Sequence, residues 1–430
     1  MQQRRRVRAT RWIPACAVCL VAVLSPMEAA GQDGAYQADA GTVERAREIL
    51  DRHPVFDGHN DLPWEIRMQD DAPMDVDAYD LSTLTPGQTD LARLRQGGVG
   101  AQFWSVYVPG EYADSGFARI QLEEIDITLR MIEKYPELEL ALSVEDVERA
   151  MQQGRIASLI GAEGGHAIEN SLGALRAYYA LGVRYLTLTH NVTLDWADAA
   201  QDEARHDGLT AFGEEVVREM NRLGMIVDLS HVSPATMSDV LNVTAAPVIF
   251  SHSSARALTD VPRNVPDSIL ARMPENGGVV MVTFVPSFVN QELADWEERL
   301  IPLRDSLIAA GATQSEMRAA WEAYQKENLP PVATLADVAN HIEHVRDVAG
   351  IDHVGIGGDY DGMGTPPVGL DDVSSYPNLF AELLSRGWSE EDLGKLANGN
   401  ILRAFGEVEA VSRRLQAETR PSTEILAPTG

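Results

Sequence analysis

Val55-Phe56-Asp57-Gly58-His59-Asn60-Asp61-Leu62-Pro63 is the stretch that decides the fold of this chain. Its apolar start has the character of a short buried strand, which leads directly into His59 and Asp61. In an extended segment, residues i and i+2 point to the same side, so both side chains reach one point. An imidazole and a carboxylate are common ligands of a divalent metal ion, above all zinc. Taken alone, the pair also fits two ordinary polar surface residues.

Seven further apolar runs follow this stretch, and helix-forming segments separate them. In a chain of 430 residues, short apolar strands that alternate with helices predict a single parallel (β/α)8 TIM-like barrel. The eight strands are expected at residues 55–57, 99–108, 156–161, 183–189, 225–229, 248–251, 279–285 and 354–357.

Histidines and acidic residues recur at or just after the carboxyl ends of these strands. Barrel enzymes build their active sites at that end, from several strands at once. Each residue alone has an ordinary alternative, such as a hydrogen-bonded loop histidine or a glutamate that caps the next helix. Because six of the eight strands carry such a residue, the pattern predicts a metal-dependent active site formed by His59, Asp61, Glu163, His190, His231, His252 and Asp359.

The chain is strongly acidic, with 65 Asp and Glu against 35 Lys and Arg and a formal net charge of −30. Such a charge repels the phosphates of nucleic acids and the anionic surface of membranes. We therefore exclude nucleic acid and membrane surfaces as partners. A well-solvated surface suited to a salty habitat would have the same composition.

The first 31 residues have the features of a secretory signal peptide. An arginine-rich start precedes an apolar run at residues 13–24 that is too short to span a bilayer, and Ala29-Ala30-Gly31 offers a cleavage site. We expect a mature protein that is exported, periplasmic or secreted, without a stable membrane anchor. Cys16 and Cys19 both lie in this segment, so the mature chain would have no disulfide. A lipid anchor on either cysteine and twin-arginine export are the alternatives.

Two regions depart from the alternation of strand and helix. The segment at about 286–333 is charged, helix-prone and contains Trp296 and Trp321, which predicts a helical insertion over one edge of the barrel. It is expected to be either a peripheral hairpin or a cover for the substrate. Beyond Phe405 the apolar periodicity fades, which predicts a flexible tail at residues 411–430. The barrel domain would then be residues 32–410.

Several motifs resemble the membrane (renal) dipeptidase family of zinc peptidases, peptidase family M19. The resemblance runs from about residue 50 to 407 and implies a barrel of the metal-dependent hydrolase type that cleaves free dipeptides, here in a secreted bacterial member. The motifs are Phe56-Asp57-Gly58-His59-Asn60-Asp61, Glu163-Gly164-Gly165-His166, Leu188-Thr189-His190-Asn191, Asp228-Leu229-Ser230-His231-Val232-Ser233, Ser251-His252-Ser253-Ser254-Ala255, Arg263-Asn264-Val265-Pro266-Asp267 and Gly357-Gly358-Asp359.

The resemblance implies a site for two zinc ions per chain. His59 and Asp61 would hold one ion, His231 and His252 would hold the other, and Glu163 would bridge both. A carboxylate suits the bridging role because it has two oxygens to share. Two ions at this distance would acidify a bridging water towards hydroxide, which then attacks the peptide bond.

The resemblance also implies three residues that act on the substrate beside Glu163. Asp359 would move a proton between the attacking water and the leaving amine. His190 would donate a hydrogen bond to the carbonyl oxygen as it becomes an oxyanion. Arg263 would pair with the terminal carboxylate of the dipeptide, although a surface ion pair with Asp260 or Asp267 is its ordinary alternative.

One departure from the family concerns Thr283 and Val285, where its members commonly have Asn and Tyr, so the preferred dipeptide stays open. The competing prediction is another binuclear metal-dependent amidohydrolase for acylamino acids, lactams or lactones, which would not need Arg263. A binding protein without catalysis would be expected to lack metal ligands, and this chain has all five. The sequence leaves the oligomeric state open, with a homodimer among the options.

Overall fold

The computed structural model describes residues 39–110, 112 and 116–426, so the predicted signal peptide lies outside the described residues. Within them, nine strands form one sheet in which every pairing is parallel. The strands are β1 Val55–Asn60, β2 Val99–Tyr107, β3 Leu138–Leu140, β4 Ile156–Glu163, β5 Val183–Thr187, β6 Ile226–Asp228, β7 Val248–Phe250, β8 Val279–Val282 and β9 Val354–Ile356.

Eight of these strands close into a barrel, which confirms the predicted fold. Their order is β2-β1-β9-β8-β7-β6-β5-β4, and β4 pairs again with β2 from Ala101↔Ala157 to Tyr107↔Glu163. The ninth strand, β3, was not predicted from the sequence. It pairs with the first three residues of β4. On the same side of β4, β5 pairs with the strand from Ile160 onwards.

Helices surround the barrel, and many begin at a Ser, Thr or Asp whose side chain accepts a hydrogen bond from the first helical turn, as at Asp90, Ser143, Ser171, Thr210 and Ser233. Within the described residues, no helix is both long and apolar enough to cross a membrane. The helices are α1 Ala40–Arg52, α2 Leu62–Arg67, α3 Leu91–Gln96, α4 Phe117–Lys134, α5 Val144–Gln152, α6 Leu172–Ala180, α7 Ala211–Leu223, α8 Pro234–Val243, α9 Asp267–Leu270, α10 Met273–Asn276, α11 Pro286–Val289, α12 Gln291–Glu298, α13 Ile301–Ala309, α14 Gln314–Glu327, α15 Leu335–Ala349, α16 Tyr376–Ser385, α17 Glu390–Gly394 and α18 Asn400–Glu418.

Large apolar side chains fill the inside of the barrel. The rings of Phe56 and Phe103 stack 5.4 Å apart, and Phe103 lies 4.8 Å from Tyr185. Since β4 separates β2 from β5, the contact between Phe103 and Tyr185 crosses the interior of the barrel. Ile249 and Met281 belong to the same buried cluster. The amino-terminal part of the barrel interior is therefore a packed core, and the polar residues lie at the carboxyl end of the strands.

The last helix, α18, extends further than the sequence predicts. The expected flexible tail from residue 411 is wrong for residues 411–418, which continue this helix. Arg403 donates to the carbonyls of Gly277 and Asp352, just before β8 and β9, and Ser412 donates to that of Arg222 before β6. Thus α18 covers the amino-terminal end of the barrel. Beyond Phe405 its buried residues are Val408 and Ser412, so the apolar periodicity is weak in this part of the sequence while packing holds the helix in place.

The segment between β8 and α15 contains the four helices α11 to α14. Trp296 packs edge-on against Trp321 and Tyr324, with ring centroids 5.8 Å apart in both pairs. Because β8 ends at Val282, Thr283 and Val285, the two positions that depart from the family pattern, lie just past the carboxyl end of the strand. The segment therefore leaves the barrel on the same side as the polar end.

Candidate metal centre and active site

The carboxyl ends of the barrel strands bring the predicted ligands together. Three overlapping groups have ligand atoms within 4.8 Å of one another, and every member is buried. The groups are His59, Glu163 and His252; Glu163, His190 and His231; and His59, Asp61 and Asp359. Residues from both ends of the chain thus meet in one cluster.

Glu163 lies at the centre of this cluster. Its Oε1 is 3.0 Å from Nε2 of His231 and 3.4 Å from Nε2 of His252. Its other oxygen, Oε2, is 3.6 Å from Nε2 of His59 and accepts a hydrogen bond from Ser105 at 3.2 Å. Each carboxylate oxygen therefore faces a different set of ligands, as a bridging carboxylate requires.

We call His59, Asp61 and Asp359 the acidic half of the centre. Nε2 of His59 is 3.3 Å from Oδ2 of Asp61 and 4.0 Å from Oδ1 of Asp359. The buried carboxylate of Asp57 fixes the backbone here, because it accepts hydrogen bonds from the amides of His59 and Gly358 and, at 2.6 Å, from the hydroxyl of Tyr376.

We call His190, His231 and His252 the imidazole half, since three rings form it. Nε2 of His231 and Nε2 of His252 are 2.9 Å apart. The rings of His190 and His231 have centroids 4.2 Å apart, and Nε2 of His190 is 4.0 Å from Oε1 of Glu163. His190 also packs against the ring of Tyr107 at 4.7 Å.

The Nδ1 atoms of three histidines each have a polar partner away from the centre. The partners are the hydroxyl of Tyr185 for His59 at 2.8 Å, Oδ1 of Asn191 for His231 at 3.1 Å and the hydroxyl of Ser251 for His252 at 2.8 Å. Such contacts fix both the ring plane and the tautomer of a metal-binding histidine. All three rings consequently turn Nε2 towards Glu163.

The backbone is strained at one residue in each half. His231 has φ 67° and Asp359 has φ 64°, a left-handed conformation that residues with a β-carbon rarely adopt. Strain of this kind costs about 1–3 kcal/mol and is common where side-chain placement matters for function. Both side chains point into the cluster as a result.

The two halves differ in the direction of their pKa shifts. Burial lowers the pKa of His231 and His252 well below the ordinary value, and the nearby Arg263 adds to the effect. For Asp359 the direction is opposite, since burial raises the pKa of its carboxyl well above the usual range. The imidazole half thus favours neutral rings, which are the form that binds metals.

The residues fit a pair of divalent cations. Within the described part of the chain, Nε2 of His59 and Oδ1 of Asp61 are buried without a hydrogen-bond partner. Nε2 of His231 and Nε2 of His252 are 2.9 Å apart, so their lone pairs would repel one another. Buried carboxylates and neutral imidazoles that converge in this way are compensated by bound cations.

Arg263 reaches the same cavity from the loop after β7, and its side chain is fully enclosed. Its guanidinium donates to the carbonyl of His252 at 3.3 Å and to the hydroxyl of Ser253 at 3.4 Å, and Phe288 covers it at 5.3 Å. Burial lowers its pKa to about 10. Within the described residues its Nε has no hydrogen-bond partner. It is therefore not the surface residue of the alternative prediction.

Sequence reasoning missed Tyr185, the partner of His59. The tyrosine lies inside the barrel beside Gly161, which is its register partner on β4. A β-carbon at Gly161 would come within 2.0 Å of the Tyr185 ring, so only glycine leaves room for it. The sequence did contain a signal for this contact, namely a glycine inside one predicted strand and a tyrosine in the next.

The sequence matches a known family over most of its length. The profile of the membrane dipeptidase family (peptidase family M19) matches residues 43–419. Dipeptidase 3 of Mus musculus is 43% identical over 377 residues, which cover 86% of this chain and 68% of the mouse protein. Dipeptidase 3 of Homo sapiens is 42% identical over 387 residues, which cover 89% of this chain and 70% of the human protein.

Two solved structures have the same architecture. The probable dipeptidase PvdM from Pseudomonas aeruginosa superposes with a TM-score of 0.75 at 26% identity, covering 86% of this chain and 99% of that one. A metallo peptidase from Rhodobacter sphaeroides, liganded with a phosphinate mimic of the dipeptide L-Ala-D-Ala, gives a TM-score of 0.68 at 25% identity over 83% and 99% of the two chains. This chain is a (β/α)8-barrel metallo-dipeptidase and belongs to the membrane dipeptidase family, M19.

Proposed function

We propose that the protein hydrolyses free dipeptides with two zinc ions, one in each half of the centre and both held by Glu163. The observation that carries this proposal is the position of the Glu163 carboxylate, whose two oxygens face His59 on one side and His231 and His252 on the other. A single ion would leave one oxygen of this buried group without a charged partner.

His59 and Asp61 would hold the ion of the acidic half, and His231 and His252 that of the imidazole half. Three imidazoles and two carboxylates are a ligand set typical of zinc, whose catalytic sites combine His with Asp or Glu. When bound, the ions would supply Lewis acidity and lower the pKa of a water molecule held between them. This assignment uses all five ligands that the sequence predicts.

Asp359 is the proposed proton carrier. Burial raises the pKa of its carboxyl, and the neighbouring Asp61 and Glu163 add to that rise while His59 opposes it. A carboxyl that holds a proton more readily than an ordinary aspartate is suited to accept one from the attacking water and to deliver it to the amine nitrogen that leaves. Its oxygen Oδ1 lies 4.0 Å from Nε2 of His59, within the acidic half of the cluster.

His190 is the proposed donor to the substrate carbonyl. Burial lowers the pKa of its ring, so it is neutral, and its Nε2 lies 4.0 Å from Oε1 of Glu163. A neutral imidazole can donate its one N–H to the carbonyl oxygen as negative charge develops there. The packing of Tyr107 against this ring restricts its rotation.

Arg263 is the proposed anchor for the substrate carboxylate. A fully buried guanidinium needs an anionic partner, yet its hydrogen bonds here go to one carbonyl and one hydroxyl at 3.3 and 3.4 Å. The C-terminal carboxylate of a dipeptide would supply that partner and would accept two parallel hydrogen bonds. Such an anchor limits the substrate to one residue beyond the scissile bond. The peptide mimic bound by the Rhodobacter sphaeroides relative has the same length.

We also propose that the protein works outside the cytoplasm. Support comes from the arginine-rich start, the apolar run at residues 13–24 and the cleavage motif Ala29-Ala30-Gly31. N-terminal sequencing of the native protein should begin near residue 32. An intact leader, or a lipid on Cys16 or Cys19, would contradict this part of the proposal.

The decisive experiment is a dipeptide panel on zinc-loaded protein with metal content measured in parallel. We expect two zinc ions per chain, cleavage of free dipeptides and little cleavage of the same dipeptides amidated at the C-terminus. Equal cleavage of amidated and free dipeptides would refute the role of Arg263. Activity confined to acylamino acids, lactams or lactones would favour the competing amidohydrolase prediction.

A further inference from the structure

Asp228, at the end of β6, is a fully buried carboxylate for which the proposed function has no role. Its Oδ1 accepts hydrogen bonds from the backbone amides of Ser230 at 3.1 Å and Ser251 at 2.8 Å. Its Oδ2 accepts from the hydroxyls of Thr187 at 2.5 Å and Ser251 at 2.6 Å. Four donors therefore saturate the carboxylate, and one of them leads towards the metal centre.

That donor is the hydroxyl of Ser251, which also lies 2.8 Å from Nδ1 of His252. A hydroxyl has one proton to donate. Since Ser251 gives this proton to Asp228, its oxygen can only accept from His252, and Nδ1 of His252 must carry the hydrogen. The lone pair of the ring is then on Nε2, which faces Oε1 of Glu163 at 3.4 Å.

We propose that Asp228 and Ser251 are positioning residues that fix the metal-binding tautomer of His252. This inference rests on the proposed function, because it concerns a ligand of the imidazole half. If the Ser251 hydroxyl turned round and donated to Nδ1, the ring would carry its hydrogen on Nε2. That atom would then be unable to bind a metal ion, although no heavy atom had moved.

Asp228→Asn tests the relay because the structure determines how the new amide must lie. Two backbone N–H groups hold the position of Oδ1, so the amide oxygen takes it and the amide nitrogen replaces Oδ2. The nitrogen then donates to Ser251, whose own proton turns to Nδ1 of His252. We expect this isosteric change to reverse the relay and to impose the wrong tautomer.

Two measurements read out the reversal. In metal-free protein with ¹⁵N-labelled histidine, the ring signals of His252 should show hydrogen on Nδ1 in the wild type and on Nε2 in Asp228→Asn. Titration against a chelator should show one of two zinc ions bound about 10–100-fold more weakly, the usual cost of losing a hydrogen-bond partner behind a ligand. The second ion should keep its affinity.

The double variant Asp228→Asn with Ser251→Ala separates orientation from packing. Removing the hydroxyl removes the donor that imposes the wrong tautomer, so zinc should bind more tightly to the double variant than to Asp228→Asn alone. If the two residues only stabilised the packing, the second substitution would weaken zinc binding further. Thr187→Val is the matched control, since it removes another hydroxyl from the same carboxylate oxygen and leaves Ser251 in place.

Hydrogen on Nε2 of His252 in the metal-free wild type would overturn the proposal, and so would a zinc affinity of Asp228→Asn equal to that of the wild type. If Asp228→Asn does not fold, Ser251→Ala alone decides, because an unchanged zinc affinity and an unchanged tautomer would both refute the relay. A wild type that binds no zinc would instead refute the proposed function, whereas the tautomer measurement needs no metal.

Discussion

The acidic half and the imidazole half face each other across Glu163, but they are built from different chemistry. In the acidic half, Asp61 and Asp359 surround a single imidazole. In the imidazole half, three neutral rings contribute no charge, and the direction in which each nitrogen points decides what can bind. Charge would dominate metal binding in the first half and ring orientation in the second. The two ions should therefore differ in how they respond to mutation.

The largest effect should come from Glu163→Gln, because this residue belongs to both halves. The amide loses the negative charge and one acceptor, so we expect both ions to be lost and kcat/KM to fall by at least about 1,000-fold, equivalent to roughly 4 kcal/mol. Metal content and activity should be measured on the same sample. Ser105→Ala, which removes only a hydroxyl bonded to Oε2 of Glu163, is the control and should keep both ions.

If Glu163→Gln lost one ion only, the two halves would bind independently and the bridge would be refuted. A variant that retained both ions and normal activity would remove Glu163 from the centre altogether.

Arg263→Ala should have the next largest effect and should separate substrate binding from metal binding. A buried guanidinium–carboxylate pair is worth roughly 2–3 kcal/mol, so kcat/KM for free dipeptides should fall about 30–150-fold, mostly through KM. Zinc content should not change. Arg256→Ala, at a partly exposed arginine that pairs with Asp260, is the matched control.

Dipeptides amidated at the C-terminus should respond little to Arg263→Ala, since they have no carboxylate to lose. A variant as active as the wild type on free dipeptides would place the anchor elsewhere.

Tyr185→Phe should weaken the acidic half alone. The hydroxyl of Tyr185 lies behind His59, and removing such a contact lowers metal affinity by about 10-fold or more. We expect one ion to be released to a chelator before the other. Tyr178→Phe removes another buried hydroxyl, bonded to the carbonyl of Ala167, and should lower stability without this selective release. Equal weakening of both ions by Tyr185→Phe would contradict the division into halves.

The smallest effect concerns how the stability of the fold depends on pH through His341 of α15. His341 is buried, its Nδ1 accepts from the amide of Ala255 at 3.0 Å and its Nε2 faces the carbonyl of Val289 at 3.2 Å. Burial lowers its pKa to about 4. The unfolded chain binds a proton below about pH 6.5 and the folded chain only below about 4, so stability falls as the pH drops through this window.

The loss should be at most about 3 kcal/mol, from 2.5 pH units at 1.36 kcal/mol each. Urea unfolding of metal-free protein at pH 7 and pH 4.5 measures it, with His341→Gln as the variant that cannot titrate. The stability advantage of the wild type over this variant should shrink with acid. A constant advantage would show that folding does not lower the pKa of this ring.

Much of this architecture is readable from the sequence because the barrel places ligands in a regular way. His59, His231 and His252 each follow an apolar run, and the carboxyl end of a strand is where a barrel presents such residues. Strand ends were less predictable. For example, β5 ends at Thr187 rather than at residue 189, and β3 has only three residues.

Side chains that act behind the ligands could not be predicted in the same way. Tyr185 sits in an apolar run and looks like an ordinary core residue, since its role depends on the space that Gly161 leaves on another strand. Asp228 and Ser251 were recognised as parts of motifs, but only their distances reveal which hydroxyl donates to which oxygen. The last turns of α18 were missed because beyond Phe405 the buried residues, Val408 and Ser412, give little apolar periodicity.

The carboxylate of Asp57 also has a consequence for how the chain folds as it is made. Its partners Gly358 and Tyr376 follow 301 and 319 residues later. At about 5–20 residues per second, synthesis reaches Gly358 roughly 15–60 s after Asp57. During that interval β1 can pair with β2 on one side, but its other edge is unpaired. The Asp57 carboxylate also lacks two of its hydrogen-bond donors, Gly358 and Tyr376. A ribosome that stopped before β9 would thus release a chain with an open sheet edge, prone to aggregation, although all five proposed metal ligands were already present.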